Sequence, residues 1–221
     1  MTKTAIIIGS TGLTGSYLLK TLLASDVYEK VVSFVRRDSK ISHPKLTQHV
    51  VDFDNPESYQ NLIEGNDLFC CMGTTIKKAG SEEAFEKVDL SYPVQFAKAA
   101  ANQGVKQCSI ISSIGANAQS TNFYLRTKGR CEEELRKVPF QSTSIFRPSL
   151  LVGNRKEFRM GEAIMEFAMK IFSVFMIGKL RKYRAIKARY VALAMYKIAQ
   201  SNTVGYHVYQ SDEIYNIAKS H

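Results

Sequence analysis

The sequence predicts an α/β fold in which helices cover both faces of a doubly wound parallel sheet. Short apolar, β-branched segments alternate with helical patterns over residues 4–111, as expected for parallel strands joined by crossover helices. The first apolar segment ends in Gly9, Gly12 and Gly15, and this spacing after a strand is typical of such folds. The 221 residues suit one domain, 1–221, because no linker or repeat divides them.

Residue patterns place the individual elements. Apolar residues at three- and four-residue spacing predict helices, and short apolar runs bounded by turn residues predict strands. Pro56 opens a short helix, and Gly104 follows the end of the helix that begins near Pro93. The predicted helices cover 12–24, 56–65, 91–102, 123–135, 188–199 and 212–219, and the predicted strands cover 4–8, 31–35, 48–51, 67–71, 107–111 and 205–209. A further strand over 144–147 is implied by the family resemblance described below.

Composition narrows the classes of protein that the chain can belong to. The formal net charge is +10, and residues 155–189 hold ten Lys or Arg against three Glu, which suits anionic ligands or partners but comes with no nucleic-acid motif. The four cysteines lack metal-ligand spacing, so we expect buried thiols and no metal site. We also expect a cytoplasmic protein without a membrane span, because no apolar run reaches about 20 residues and no signal-peptide pattern is present.

The turn over residues 9–15 is the first candidate binding site. Glycine has no side chain to block the approach of a pyrophosphate to the backbone. The following helix begins with free N–H groups, which favour an anion. Hydroxyl groups of the same turn add hydrogen-bond donors. The predicted dinucleotide contacts are Gly9, Ser10, Thr11, Gly12, Leu13, Thr14 and Gly15; the alternative is a plain glycine-rich turn.

Arg36 and Arg37 directly follow the second predicted strand, 31–35. An acid at this position would bind the ribose hydroxyls of NAD, whereas arginine suits the extra phosphate of NADP. We therefore expect NADP, with NADPH as its reduced form. Asp38 follows one residue later as a possible ribose ligand, and a solvated arginine pair without a ligand is the remaining alternative.

Further candidate cofactor contacts follow the third and fourth strands. Asp52 and Phe53 are an acid and an aromatic residue placed to flank an adenine. A second glycine at a strand end, Gly73, lies on the same edge of the predicted sheet as the first turn. The residues expected to lie beside the bound cofactor there are Cys71, Met72, Gly73 and Thr74.

Tyr124 and Lys128 form the candidate catalytic pair. They lie four residues apart on a predicted helix and therefore share one face. An ammonium beneath a phenol lowers the phenol pKa toward the range of a general acid or base. Ser112 and Ser113, at the end of the preceding strand, offer a hydroxyl for a substrate carbonyl oxygen. A chance Tyr-x-x-x-Lys on a surface helix is the alternative.

Taken together, these motifs resemble the short-chain dehydrogenase/reductase superfamily. The sequence is most similar to its atypical branch, close to the Tat-interacting oxidoreductase-like proteins and their bacterial relatives. The resemblance implies a Rossmann fold, NADPH binding and catalytic positions for Tyr124 and Lys128. It favours Ser112 over Ser113 as the catalytic serine. The motifs that carry it are residues 9–15, 35–37, 50–53, 69–75, 111–113, 124–129 and 146–148, and the resemblance adds Pro148 and Leu151 near the nicotinamide and Arg159 near the cofactor phosphates.

The C-terminal residues 152–221 are expected to add a small helical substrate lobe. Within them, residues 160–178 carry two apolar stripes, one of them rich in methionine. A helix with two apolar stripes must bury both, so this segment suits a substrate pocket, a homodimer contact or a protein partner. The stripes consist of Ile164, Phe167, Ala168, Ile171 and Phe175, and of Met165, Met169, Phe172 and Met176.

Two functions remain open on the sequence. The first is an NADP-dependent oxidoreductase that acts on a small carbonyl or alcohol substrate, with Tyr124 exchanging the proton. The basic C-terminal residues make an anionic substrate one of the alternatives. The second is an NADPH-binding regulatory or protein-interaction module with little or no turnover.

Overall fold

The computed structural model describes residues 2–153, 182–201 and 203–220. Its strands are β1 (Lys3–Ile8), β2 (Tyr28–Val35), β3 (Leu46–Val50), β4 (Asp67–Cys70), β5 (Gln107–Ile111), β6 (Ser142–Arg147), β7 (Leu151–Val152), β8 (Ile186–Lys187) and β9 (Gly205–Gln210). Seven of them form one parallel sheet in the order β3-β2-β1-β4-β5-β6-β9, and β7 pairs with β8. The order reverses between β1 and β4, which opens a crevice beyond their carboxyl ends.

Helices cover both faces of the sheet. They are α1 (Leu13–Ala24), α2 (Ile76–Ala79), α3 (Glu82–Glu86), α4 (Tyr92–Asn102), α5 (Phe123–Arg136), α6 (Ala188–Ala199) and α7 (Ser211–Lys219). The apolar faces of α4 and α5 pack on one side of the sheet, and those of α1, α6 and α7 pack on the other. The predicted doubly wound Rossmann architecture is therefore confirmed.

The boundaries differ from the prediction where charged residues or turns obscure the pattern. β2 begins at Tyr28 rather than residue 31, because Glu29 and Lys30 interrupt its apolar run while the Tyr28 ring is fully buried. The segment 56–65 forms two 3-10 turns, Pro56–Ser58 and Gln60–Leu62, and the backbone leaves helical geometry at Tyr59 between them.

The helix predicted from residue 91 begins earlier, at Glu82. Ser81 caps it by accepting a hydrogen bond from the Ala84 amide, 3.1 Å away. A π-helical turn, Lys87–Ser91, joins α3 to α4 without a break. Pro93 follows this turn, and a proline lacks the N–H that a regular helix would donate to the carbonyl four residues earlier. That carbonyl belongs to Asp89.

The described C-terminal residues join the same layers as the rest of the chain. β9 pairs with β6 as the seventh strand, and α6 packs against α1. Within the described ranges, β9 thus extends the main sheet and the two C-terminal helices extend its helical cover, whereas β8 pairs with β7 in the separate two-stranded sheet. The two apolar stripes within 160–178 and Arg159 lie outside the described residues. No helix in the described ranges is long and apolar enough to cross a membrane.

Candidate functional site

The glycine turn after β1 is built by close approach of three backbone segments. Gly9 has φ +79°, and a Cβ atom there would lie 2.5 Å from the carbonyl carbon of Cys71, just after β4. A Cβ atom at Gly15 would lie 2.1 Å from the Gly9 carbonyl oxygen. Gly12 donates its N–H to the same oxygen at 3.0 Å. Neighbouring backbone thus excludes side chains at Gly9 and Gly15, whereas Gly12 is exposed and leaves its main chain accessible to a ligand.

The N-terminus of α1 is open to an anion. Its N-cap is Gly12, no side chain caps the helix, and no acid occupies the first turn. The orphan N–H groups and the positive end of the helix dipole therefore face the loops beyond the sheet edge. This cradle fits the pyrophosphate that the sequence predicts. Thr11 is exposed within it, and Leu13 is half-buried at the helix start.

The hydroxyl groups of this turn differ in their availability. Ser10 is 1% exposed, and its Oγ lies 2.7 Å from Oγ of Ser33 on β2. Ser10 therefore ties the turn to the neighbouring strand, which is a different role from the phosphate donor that the sequence suggested. Thr14 is also buried, at 5% exposure, whereas Thr11 remains accessible.

Arg36 and Arg37 are exposed directly after β2, at the same sheet edge as the glycine turn. Within the described ranges neither guanidinium has an ion-pair or hydrogen-bond partner. Asp38, by contrast, accepts from the Lys40 amide at 2.9 Å and from Nε2 of Gln48 at 2.6 Å. Both contacts are to Oδ1, and the Lys40 ammonium lies 3.1 Å from Oδ2. Together they lower the pKa of the carboxyl group.

The predicted adenine contacts separate in the structure. Asp52 is exposed after β3, but Phe53 is only 3% exposed. Its ring packs against Tyr59 and Tyr92 in the core, with ring centroids 5.8 Å apart in each pair. The expectation that the Phe53 side chain flanks an adenine is therefore wrong, because its ring is buried among core aromatic residues and is not available to a ligand.

The loop after β4 runs beside the glycine turn. The Cys71 amide donates to the Ile8 carbonyl oxygen at 2.9 Å, which holds the ends of β4 and β1 together. Met72 and Thr74 are half-buried and Gly73 is exposed. All four cysteines of the chain are free thiols, and Cys71 is the least buried of them. Among the described residues, no three His, Cys, Asp or Glu side chains cluster as a metal site would.

Helix α5 carries the predicted catalytic pair at the C-terminal edge of the sheet. Tyr124 is half-buried in its first turn, with its ring 5.7 Å from that of Phe85. Lys128 lies one turn later and is 6% exposed. Gly129 permits this placement, because a Cβ atom there would lie 2.1 Å from the Ala118 amide nitrogen in the loop that follows β5.

Lys128 is held by a carboxylate that the sequence analysis did not identify. Its Nζ lies 2.8 Å from Oδ1 of Asp89, which is 1% exposed on the π-helical turn. Burial alone would lower the pKa of Lys128, but the Asp89 charge outweighs it and the pKa is raised. The Lys128 ammonium, one turn from Tyr124 on α5, is therefore charged at neutral pH and has Asp89 as its counter-ion.

The two candidate serines face different partners. Ser112 is buried, and its Oγ donates to Oε1 of Glu132. Glu132 lies one turn beyond Lys128 on α5 and also accepts from Nε of Arg147 at 2.9 Å. The Ser113 hydroxyl is half-buried and makes a 3.3 Å hydrogen bond to the neighbouring Ile114 carbonyl oxygen. Ser113 thus has the more available hydroxyl, although the family resemblance favours Ser112.

Residues after β6 close the edge of the site. Pro148 is buried, and its carbonyl oxygen accepts from the Ile114 amide at 3.0 Å, which ties the loops after β5 and β6 together. Leu151 is half-buried in β7. A Cβ atom at Gly153 would lie 2.8 Å from Cδ1 of Leu13, so this segment packs onto the start of α1.

Asp89 and Glu132 are the site residues that sequence reasoning missed. A signal for Glu132 was present, because residues 124, 128 and 132 share one helical face. Asp89 gave no such signal, since its contact with Lys128 joins residues 39 positions apart.

The parallel sheet and the site at the carboxyl ends of its strands are those of the NAD(P)-binding, oxidoreductase-like Rossmann proteins. Residues 9–170 match the model of the NAD(P)H-binding family, and the chain belongs to that family. It is 37% identical over 164 residues to "Protein HTATIP2" of Rattus norvegicus, covering 72% of this chain and 67% of the relative. It is 35% identical over 156 residues to "Protein FMP52, mitochondrial" of Candida albicans, covering 68% of each protein. These matches confirm the resemblance predicted from the motifs.

A solved structure agrees on the fold. WbmH of Bordetella bronchiseptica, in complex with NAD+, superposes with a TM-score of 0.72 at 16% identity and covers 96% of this chain and 76% of its own. The comparisons contradict the expected cytoplasmic location, because FMP52 relatives from several fungi are named as mitochondrial proteins. The cytoplasmic prediction was wrong. It rested on the absence of a signal-peptide pattern and of a long apolar run, and such an absence does not determine a compartment.

The close approach at Gly15 predicts a substitution that the turn cannot accept. Gly15→Ala places a Cβ atom 2.1 Å from the Gly9 carbonyl oxygen. We therefore expect the unfolding free energy to fall by about 1 to 3 kcal/mol, and we expect NADPH binding to be lost. Chemical denaturation and calorimetry measure the two effects. Ser16→Ala, at the next position of the same helix, is the control and should bind NADPH normally. Full stability and binding in Gly15→Ala would contradict the packing described here.

Proposed function

We propose that the protein is an NADPH-dependent oxidoreductase acting on a small carbonyl or alcohol substrate. The observation that carries the proposal is the placement of Tyr124 and Lys128 one turn apart on the same face of α5, at the sheet edge that also holds the glycine turn. A half-buried phenol one turn from a buried, charged ammonium suits proton exchange with a bound substrate. Membership of the NAD(P)H-binding family supports the cofactor class.

Each residue has a distinct task in this proposal. The glycine turn and the start of α1 would hold the cofactor pyrophosphate, and bound NADPH supplies the hydride. Tyr124 gives its hydroxyl proton to the substrate oxygen during reduction and takes it back during oxidation. Lys128 stabilises the phenolate that remains, because an adjacent positive charge favours the ionised form. Ser113 donates a hydrogen bond that orients the substrate oxygen, and Glu132 keeps Ser112 in a structural role.

The charges after β2 support NADPH over NADH. Arg36 and Arg37 are exposed and without partners among the described residues, which suits a phosphate arriving from solvent. A ribose diol would need a free acid instead. Asp38 is the acid at hand, and Lys40 and Gln48 already occupy its carboxylate.

The cofactor preference is tested by removing both arginines. Replacing Arg36 and Arg37 by Ala should weaken NADPH binding by about tenfold to 100-fold, the range for lost charge-assisted contacts, and leave NADH binding nearly unchanged. Calorimetry with both cofactors measures the difference. Lys20→Ala, an exposed cation on α1, is the control and should alter neither affinity. Equal affinity of the parent protein for NADH and NADPH would refute the preference.

The proton-transfer role of Tyr124 is tested by Tyr124→Phe. This change keeps the ring that packs on Phe85 and removes the proton, so NADPH binding should persist while turnover falls by about 100-fold or more. Oxidation of NADPH across a panel of carbonyl compounds, including carboxylated ones, provides the assay. Tyr215→Phe, at an exposed tyrosine of α7, should keep the parent rate. NADPH binding without oxidation of any compound in the panel would favour the regulatory, protein-interaction function.

The two serines should separate into a catalytic and a structural effect. Ser113→Ala should lower turnover by about tenfold or more with little change in stability, because its hydroxyl is the available one. Ser112→Ala removes a donor from buried Glu132, so it should lower the unfolding free energy by about 1 to 3 kcal/mol. Denaturation curves alongside the NADPH assay measure both. The opposite pattern would return the catalytic assignment to Ser112.

A further inference from the structure

Asp89 is a buried carboxylate with two separate contacts. Its Oδ1 lies 2.8 Å from Nζ of Lys128, and its Oδ2 accepts a hydrogen bond from the Thr74 amide at 2.8 Å. The side chains of Asp89 and Lys128 are 1% and 8% exposed. A buried ion pair gives little net stability, because desolvation of both charges offsets their attraction. The pair therefore suggests a role other than holding the fold together.

The backbone geometry at Asp89 directs it toward the site. It lies in the π-helical turn Lys87–Ser91, between α3 and α4. Turns of this kind inside helices occur frequently at functional sites. Pro93 accounts for the departure from regular helical bonding, since its ring would clash with the Asp89 carbonyl group.

Asp89 connects the loop after β4 to α5, the helix that carries Tyr124 and Lys128. Thr74 belongs to that loop, and a Cβ atom at Gly73 would lie 3.4 Å from Oδ1 of Asp89 and 3.9 Å from Nζ of Lys128. Gly73 is exposed, so the backbone beside the ion pair is reachable from the crevice. The Asp89 carboxylate thus fixes the position of the Lys128 ammonium relative to the loop after β4, which is expected to lie beside the cofactor.

We propose that Asp89 is a positioning residue that holds the Lys128 ammonium, charged and correctly placed, against the bound cofactor. This inference rests on the proposed function. An ammonium has three protons, and one contact with Asp89 leaves the others for the cofactor ribose or the Tyr124 oxygen. Without the carboxylate, the buried ammonium has no counter-ion and loses its proton more readily.

The groups that face Lys128 make its charge depend on Asp89. They are Asp89 on the π-helical turn, Tyr124 and Cys131 on α5, and Cys70 at the end of β4. Burial raises the pKa of both thiols to about 12, so neither offers a negative charge at neutral pH. Asp89 is consequently the carboxylate that keeps Lys128 charged in this surrounding.

The test measures NADPH affinity against pH in Asp89→Asn, which keeps the side-chain shape and the acceptor for the Thr74 amide. Lys128 should then lose its proton as the pH rises, so affinity relative to the parent should fall by about tenfold between about pH 6 and about pH 9. Glu86→Gln is the matched control. It removes the charge from one partner of a partly exposed ion pair, 2.6 Å long, between Glu86 of the same helical segment and Arg130 of α5, and should follow the parent at every pH.

Two further variants show whether Asp89 acts through Lys128. Lys128→Met should bind NADPH weakly at all pH values, and adding Asp89→Asn to it should change the affinity less than about twofold, because coupled residues are not additive. Asp89→Glu keeps the charge but displaces it, so it should bind more weakly than the parent without the new pH dependence. This variant also decides the matter if Asp89→Asn does not fold.

Several outcomes would overturn the positioning role. They are a parent-like pH profile in Asp89→Asn, an equal loss of affinity in the presence and absence of Lys128, or parent-like binding in Asp89→Glu. A parent protein that binds neither NADPH nor NADH would instead refute the proposed function itself.

Discussion

The close approach of three backbone segments at Gly9 is the constraint on which the rest of the site depends. The end of β1, the first turn of α1 and the residues after β4 meet where a Cβ atom would fall 2.1 to 2.6 Å from neighbouring backbone atoms. Because no side chain fits at Gly9 or Gly15, these three backbone segments can meet only with glycine at both positions. The open helix start and the loop after β4 take their positions from this contact.

Helix α5 depends on a second close contact, at Gly129. With the backbone of Asn117 and Ala118 against it, one face of the helix is brought over the sheet edge. That face presents Tyr124, Lys128 and Glu132 in successive turns. Each buried charge in this row has its own counter-ion, Asp89 for Lys128 and Arg147 for Glu132. The row therefore places charges in a low-dielectric setting without leaving any of them unpaired.

These counter-ions change the interpretation of the family motif. A Tyr-x-x-x-Lys pair considered alone suggests a lysine that acts on a tyrosine. In the folded protein the lysine belongs to a larger unit that includes the loop after β4, through Asp89 and Thr74. The serine that best fits the motif is likewise held by Glu132. The side chains at this edge thus divide into groups that hold position and groups that remain available to a ligand.

The sequence by itself determined the α/β class, the glycine turn, the Tyr124 and Lys128 pair and most elements of the sheet, because these features are local patterns of three to twelve residues. It could not determine that Phe53 is core, that Ser10 bonds to Ser33, or that β9 completes the sheet beside β6. Those outcomes depend on contacts between distant segments. Asp89 shows the reason most clearly: its contact with Lys128 exists only after a π-helical turn and α5 pack against each other, and no spacing along the chain encodes that meeting.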